Sequence, residues 1–167
     1  MTVERPIRVG LICVENAGRS QMAAAFAERE LAERELTDEV ELISGGTLPG
    51  DEVYDHVVTA MAEVGIDVSD RRPRGVGVDQ LKRCDYLVTM GCYIPEADPG
   101  SLAGDAREWD LPDPAGKDVE EVRRIRDAVE EHVTALIDEV EARIEEEGAS
   151  TERGRSGLRG YLGDVLG

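Results

Sequence analysis

Residues 7–20 read IRVGLICVENAGRS, and this stretch decides the fold class. The segment Ile7–Cys13 is mostly apolar, which predicts a buried β-strand. A loop containing Asn16 and Gly18 follows, and apolar residues then recur every three or four positions over Ser20–Leu36, which predicts an amphipathic helix. A buried strand that turns through a short loop into a helix is typical of α/β proteins.

The rest of the chain repeats this alternation. Further strands are predicted at Val40–Ile43, Asp85–Met90 and Arg107–Leu111, and further helices at Glu52–Val64, Asp79–Arg83 and Asp118–Glu147. This order predicts an α/β fold of three layers, with about four parallel strands and helices on both faces of the sheet. Residues 1–147 are predicted to form this single domain. Residues 148–167 are predicted to form a C-terminal tail, either flexible or with one short docked helix.

The chain is strongly acidic. Asp and Glu number 37 against 19 Lys and Arg, which gives a formal net charge of −18. Nucleic acids and anionic membrane surfaces are repelled by such a charge, so neither is expected as a partner. The acids are spread along the whole chain, which favours adaptation to high salt over an acidic interaction tail. We find no signal peptide and no apolar run near the ~18 residues of a spanning helix, so a cytoplasmic protein is expected.

The three cysteines are Cys13, Cys84 and Cys92. An odd number without a secretion signal argues against a disulfide framework. No pair has C-x-x-C spacing, and His56 and His132 lie in separate helical patterns, so no metal site is expected. Cys84 precedes the third predicted strand and is expected in the core.

Three chemically interesting features follow the predicted strands. Cys13 ends the first strand, Gly91-Cys92 follows the third, and Asp113-Pro114 follows the fourth. Parallel α/β sheets bind ligands beyond the carboxyl ends of their strands, so these features are expected along one edge.

The loop Cys13–Ser20 has the properties of an anion-binding cradle. Its backbone N–H groups and the following helix N-terminus can face an anion, and they favour the thiolate of Cys13. Arg19 offers a bidentate fork for oxyanions, Asn16 and Gly18 tolerate unusual backbone angles, and Ser20 can donate to the thiolate. The alternative interpretation is a buried structural cysteine with a solvated arginine nearby. The predicted substrate-binding residues are Val14, Glu15, Asn16, Ala17, Gly18, Arg19 and Ser20.

Asp113 and Cys92 are the other candidate catalytic residues. Asp113, on a loop stiffened by prolines, can protonate a leaving oxygen, although Asp-Pro more often marks a turn. Cys92 at the same edge suggests thiol exchange with Cys13, although it also fits a small apolar residue at a strand end.

The segment Cys13–Ala23, CVENAGRSQMA, resembles the anion loop of the low-molecular-weight protein tyrosine phosphatase superfamily. Ser-Gln-Met-Ala after Arg19 is similar to the thiol-dependent arsenate reductase branch, as are Val88–Cys92 and Trp109–Lys117. The resemblance covers roughly residues 6–146. It implies that Cys13 attacks arsenate, that Arg19 and the loop amides bind the oxyanion, and that Asp113 protonates the departing oxygen.

The resemblance also implies a second thiol, at Cys92 or from outside the chain, that releases arsenite. Members with an internal relay carry a further cysteine a few residues beyond, whereas Tyr93–Pro99 has none. An external reductant is therefore expected, either a small-molecule thiol or a thioredoxin-like protein, with no bound cofactor. An acidic residue that binds potassium in some relatives is matched here by Ala24, so no such site is expected.

Two other functions remain open at this point. One is a phosphomonoesterase, with phosphotyrosine as one candidate substrate, which would use Cys13, Arg19 and Asp113 with water in place of the second thiol. Phosphotyrosine recognition calls for aromatic walls around the loop, and the few aromatic residues, Tyr54 and Tyr93 among them, favour it little. A non-catalytic oxyanion-binding regulatory protein is the third. Glu15 favours it, because a carboxylate in an anion loop opposes oxyanion binding.

Overall fold

The computed structural model describes residues 5–92 and 104–166, with side chains described as far as residue 148. The strands are β1 (Ile7–Cys13), β2 (Val40–Gly46), β3 (Tyr86–Met90) and β4 (Asp105–Glu108). The helices are α1 (Arg19–Glu33), α2 (Asp55–Ala62), α3 (Val78–Lys82) and α4 (Val119–Leu166).

The four strands form one parallel sheet in the order β2-β1-β3-β4. The register pairs Cys13 with Gly46 on one side and with Met90 on the other. On β4, Glu108 pairs with Thr89. The carboxyl ends of all four strands therefore meet at one edge, as the sequence predicted.

Alternation along β1 explains why the sheet is covered on both faces. Val9 and Leu11 belong to the large core under α1, α2 and α4. Ile12 faces the other way and packs with Leu81 of α3 and with Leu87. Successive side chains of a strand point to opposite faces, so a continuous apolar run requires cover on both. The predicted three-layer α/β fold is confirmed.

Several element boundaries differ from the predicted ones, and those of β4, α2 and α1 have a visible reason. Strand β4 lies at Asp105–Glu108 rather than at Arg107–Leu111, because its pairing with β3 ends where the Trp109 amide donates to Thr89 O. Helix α2 begins at Asp55 rather than at Glu52, because the backbone of Tyr54 is extended and its amide bonds to Ala17 O of the anion loop. Helix α1 ends at Glu33, and Glu35 then has a left-handed φ of 58°.

Helix α4 is longer than the apolar repeat predicted, since its helical backbone continues beyond Glu147 to Leu166. Residues 119–166 contain no proline, so each of them has the backbone N–H group that helical hydrogen bonding requires. The division into a domain at 1–147 and a tail at 148–167 stays a prediction. A loop is also predicted from the sequence at Ile94–Ala106, which is rich in Pro, Gly and Asp, and most of it lies outside the described residues. Within the described parts of the chain, none of the helices has the length and apolar character needed to cross a bilayer.

Candidate active site

The loop between β1 and α1 is held by the segment that follows β2. The carbonyl oxygens of Cys13, Val14 and Glu15 accept hydrogen bonds from the amides of Thr47, Leu48 and Gly50, at 3.2, 2.8 and 2.9 Å. The C=O and N–H groups of one trans peptide point in opposite directions within the peptide plane. The loop therefore turns its carbonyls toward the 47–54 segment and its N–H groups toward the cleft, which gives the geometry of an anion cradle.

The thiol of Cys13 lies at the base of this cradle. Its Sγ is 2.9 Å from Ser20 Oγ and accepts a hydrogen bond from the Asn16 amide at 3.2 Å. Ser20 Oγ itself accepts from Asn16 Nδ2 at 2.6 Å, so its own proton is available to the sulfur. Two donors converge on the sulfur, an arrangement that stabilises a thiolate.

Asn16 organises the loop from beneath. It is fully buried with a left-handed φ of 54°. Its Nδ2 also donates to Ser44 Oγ at 2.9 Å, and its Oδ1 accepts from Gln21 Nε2 and from the Arg74 amide, each at 3.0 Å. Asparagine tolerates this backbone region better than most residues, and here its amide satisfies the surrounding polar groups as well.

Arg19 is a buried cation that faces the cleft. It is only 7% exposed, and its Nη1 donates to Leu111 O at 3.0 Å. The guanidinium packs on Gly91, where a Cβ would overlap it and where φ is +75°. A side chain at residue 91 would therefore displace the arginine, and the planar fork is fixed in place before any anion arrives.

Asp113 comes from the loop after β4, which packs against the anion loop through Pro114 and Gly18. Its Oδ2 lies 3.8 Å from Arg19 Nη2, and its Oδ1 accepts from the Ala115 amide at 3.0 Å. The carboxyl is exposed at the mouth of the cleft. This position suits proton transfer with an oxygen on the solvent side of a bound oxyanion.

Cys92 follows Gly91 at the same edge and is partly buried. Its Sγ lies 3.8 Å from the carbonyl oxygen of Ile12, the residue before Cys13. Burial raises the pKa of the Cys92 thiol, and the nearby Cys13 adds to the rise. Cys84 is buried on the far face of the sheet, and burial raises the pKa of its thiol to about 11. That placement confirms Cys84 as a core residue.

These groups surround a cleft of about 280 Å³. Five of the seven predicted loop residues line it, whereas Asn16 and Ser20 lie beneath the loop and act on Cys13 from there. Sequence reasoning missed Tyr54 as a wall of the cleft and Ser44 as a support. Tyr54 precedes a helix at the same sheet edge, which was the available signal. The lining residues are Cys13, Val14, Glu15, Ala17, Gly18, Arg19, Tyr54, Gly91 and Asp113.

Fold and site together define a parallel α/β protein with a cysteine-centred cradle for oxyanions. The family model of the low molecular weight phosphotyrosine protein phosphatase matches residues 8–97. A Halobacterium salinarum protein with the name "Putative arsenate reductase" is 48% identical over 139 residues, 83% of this chain and 96% of the relative. The chain therefore belongs to the low molecular weight phosphotyrosine protein phosphatase family, in the branch of arsenate reductase relatives.

Solved structures agree with this assignment. One, an arsenate reductase in the phosphate binding state, has a TM-score of 0.65 at 28% identity, covering 80% of this chain and 98% of the other. Another, the thioredoxin-dependent arsenate reductase of Corynebacterium glutamicum, has a TM-score of 0.64 at 29% identity, covering 84% of this chain and 65% of the other. A relative from a halophile also fits the predicted adaptation to high salt.

Proposed function

We propose that the protein is a thiol-dependent arsenate reductase. The observation that carries the proposal is the convergence of Cys13 Sγ, the inward loop amides and the buried Arg19 guanidinium on one cleft. Arsenate is a tetrahedral oxyanion, and this arrangement offers it both donors and positive charge beside a nucleophile. The relatives named as arsenate reductases support the same reaction.

In the first step, the Cys13 thiolate forms a bond to arsenic while one As–O bond breaks. The departing hydroxyl takes a proton from Asp113 and leaves as water. Arg19 and the loop amides hold the remaining oxygens, whose charge rises as the bond forms. Ser20 and Asn16 stabilise the attacking sulfur through the contacts described above.

In the second step, another thiolate attacks Cys13 Sγ. An S–S bond forms, the S–As bond breaks, and its electron pair stays on arsenic, which leaves as arsenite. The two thiols thus supply the two electrons that reduce As(V) to As(III). Cys92 is the candidate within the chain, because it lies beside the end of β1. An external thiol, from a small molecule or a thioredoxin-like protein, then reduces the disulfide or replaces Cys92.

This cycle consumes reduced thiols, which the cytosol maintains, and we therefore place the protein in the cytoplasm. The net charge of −18 supports the absence of nucleic acid and membrane partners.

A phosphomonoesterase is the second candidate. The family model supports it, as does the exposed position of Asp113, where an ester oxygen would leave. The same groups would form a phosphocysteine, and water rather than a thiol would then attack it.

The test is arsenite formation from arsenate in concentrated KCl, with glutathione, dithiothreitol and thioredoxin as donors. We expect donor-dependent turnover that falls by about 10³-fold or more in Cys13→Ser. Cys92→Ser should lower turnover if Cys92 is the thiol that attacks the Cys13 adduct, and should leave turnover unchanged if an external thiol does so. Cys84→Ala is the matched control, since Cys84 precedes β3 at the opposite end of that strand from Cys92 and does not line the cleft.

Absence of turnover with every donor, together with hydrolysis of an aryl phosphate by the wild type but not by Cys13→Ser, would replace the reductase with the phosphatase. Inertness toward both substrates combined with measurable binding of phosphate would favour the regulatory anion-binding protein.

A further inference from the structure

An acidic side chain stands at the mouth of this anion cleft. Glu15 lines the cleft together with Cys13 and Arg19, and it is exposed. A carboxylate a few ångströms from a bound dianion raises the free energy of the complex. Oxyanion binding is therefore favoured by any interaction that holds the Glu15 carboxylate away from the cradle.

Tyr54 provides a partner for that carboxylate. Its hydroxyl donates a hydrogen bond to Glu15 Oε2 across the rim of the cleft. Burial raises the pKa of Tyr54, and the hydrogen bond with Glu15 raises it further, so the phenol stays protonated and remains a donor. The bond ties the glutamate to the wall rather than leaving it free to turn toward the bound oxyanion.

The position of Tyr54 is fixed relative to the loop. Its backbone amide donates to Ala17 O at 3.0 Å, and it directly precedes helix α2. Its ring lies against Gly18, where an added Cβ would be 3.3 Å from Tyr54 Cδ2. The backbone and ring of Tyr54 are thus held by the anion loop and by the start of α2, which fixes where its hydroxyl meets Glu15.

We propose that Tyr54 is a positioning residue that holds the Glu15 carboxylate at the rim, and that this pair makes the cleft selective for small inorganic oxyanions over aryl phosphomonoesters. The proposal rests on the proposed function, for which it specifies the substrate class. An inorganic oxyanion has no group beyond its tetrahedron, so it needs only the cradle formed by Cys13, Arg19 and the loop. The ring of an aryl ester would extend past the rim, where it would displace water from the exposed Glu15 carboxylate and offer it no further hydrogen bond.

The first test is the affinity of the protein for inorganic phosphate by titration calorimetry. Tyr54→Phe retains the ring but releases Glu15, so we expect binding weaker by about three- to tenfold. Glu15→Gln removes the charge and should bind phosphate at least as tightly as the wild type. The double variant Tyr54→Phe/Glu15→Gln should match Glu15→Gln, because no charge is left to position.

Salt separates a charge effect from a change of shape. The Debye length falls from about 10 Å at 0.1 M to about 3 Å at 1 M, so the loss in Tyr54→Phe should shrink as KCl rises. Glu52→Gln is the matched control, because Glu52 lies on the same segment, is 77% exposed and has Arg72 at 3.9 Å. It removes the same charge away from the rim and should leave phosphate affinity within about twofold.

The second test is hydrolysis or competitive binding of phenyl phosphate. Relative to inorganic phosphate, Glu15→Gln should improve recognition of the aryl ester by about tenfold, whereas Glu52→Gln should not. Wild-type affinity for phosphate in Tyr54→Phe, or a double variant as weak as Tyr54→Phe alone, would overturn the proposal. Phosphate is not reduced, so this binding result stands even if the protein makes no arsenite, and the failure of either idea is visible separately.

Discussion

The side chains of Asn16 and Asp85 each hold several neighbouring groups in place through hydrogen bonds. The two residues lie at opposite edges of the sheet. Asn16 takes the left-handed conformation in the anion loop and bonds to Ser20 and Ser44 below it. It does not line the cleft, but it sets the conformation of the loop and orients the Ser20 hydroxyl that faces Cys13. Asn16 therefore maintains the conformation of the loop and supplies hydrogen bonds to the side chains beneath it.

Asp85 lies at the start of β3, away from the cleft. It accepts two hydrogen bonds from Arg5, at 2.8 and 2.9 Å, and one from the Arg8 amide at 2.8 Å. Arg143 of α4 approaches to 3.7 Å. The Arg5 guanidinium holds the pKa of the Asp85 carboxyl below its usual range, with help from the Arg8 amide.

We predict that Asp85→Asn lowers the free energy of unfolding by about 1–3 kcal/mol at pH 7, because the amide carries no charge and one of its two acceptors is lost. A carboxyl whose folded pKa is depressed stabilises above its unfolded value near 3.9, and this stabilisation is lost as pH falls through the folded value. The deficit of Asp85→Asn should therefore shrink toward pH 3. Guanidinium denaturation at constant KCl measures it.

The exposed Asp38→Asn is the control for removing one negative charge, and it should change stability by less than about 0.5 kcal/mol. A deficit of Asp85→Asn that stays constant from pH 7 to pH 3 would mean that the charge on Asp85 contributes nothing.

At the scale of elements, the end of β2 supports the loop at the end of β1. Cys13 pairs with Gly46, and the segment after Gly46 supplies the amides that take the loop carbonyls. Gly46 lies so close that an added Cβ would stand 2.5 Å from Val14 O and 2.9 Å from Asn16 N. The strand and the cradle can therefore meet only if residue 46 has no side chain.

We predict that Gly46→Ala pushes the loop outward and weakens phosphate binding by about tenfold or more, with a loss of about 1–3 kcal/mol in stability. Gly50→Ala is the matched control, because its Cβ would meet its nearest neighbour, Glu15 Cβ, at an ordinary 3.7 Å. Titration calorimetry and denaturation of both variants test this. Equal effects of the two substitutions would contradict the close approach.

At the scale of the whole molecule, the large negative charge is the main influence on how stability depends on salt. The 19 Lys and Arg can pair with only part of the 37 Asp and Glu, in ion pairs such as Arg29–Glu130 and Arg123–Glu63, and the excess of acids gives the formal net charge of −18. Exposed pairs of this kind contribute little each and are screened by salt. Repulsion among the remaining carboxylates acts on the compact state more than on the unfolded chain.

We therefore predict that the melting temperature rises by about 5–10 °C between roughly 0.1 and 2 M KCl, because screening relieves this repulsion. Differential scanning calorimetry measures the shift. Sucrose serves as the comparison, since it favours compact states by exclusion without screening any charge. If the melting temperature fell with KCl, the surface ion pairs would outweigh the repulsion.

The order of the elements and the residue types at the carboxyl edge of the sheet were predictable from the sequence alone. The bounds of β1 agree with the prediction, because an apolar run between a polar start and a glycine-containing loop has few alternatives. The anion loop was also readable, since its residues are contiguous. Once a parallel sheet was predicted, the carboxyl ends of its strands had to place Cys13, Cys92 and Asp113 along one edge.

The surroundings of that loop were not predictable from the sequence, because they depend on how distant segments pack. The extent of β4 depends on its register with β3, because its residues are partly or fully exposed and carry little apolar signal. The contact of Tyr54 with Glu15 joins residues that are 39 positions apart in the sequence. The close approach of Gly46 to the loop likewise depends on the pairing of β2 with β1. Residue type and spacing specify local conformation, whereas such pairings arise from packing elements that the sequence pattern does not bring together.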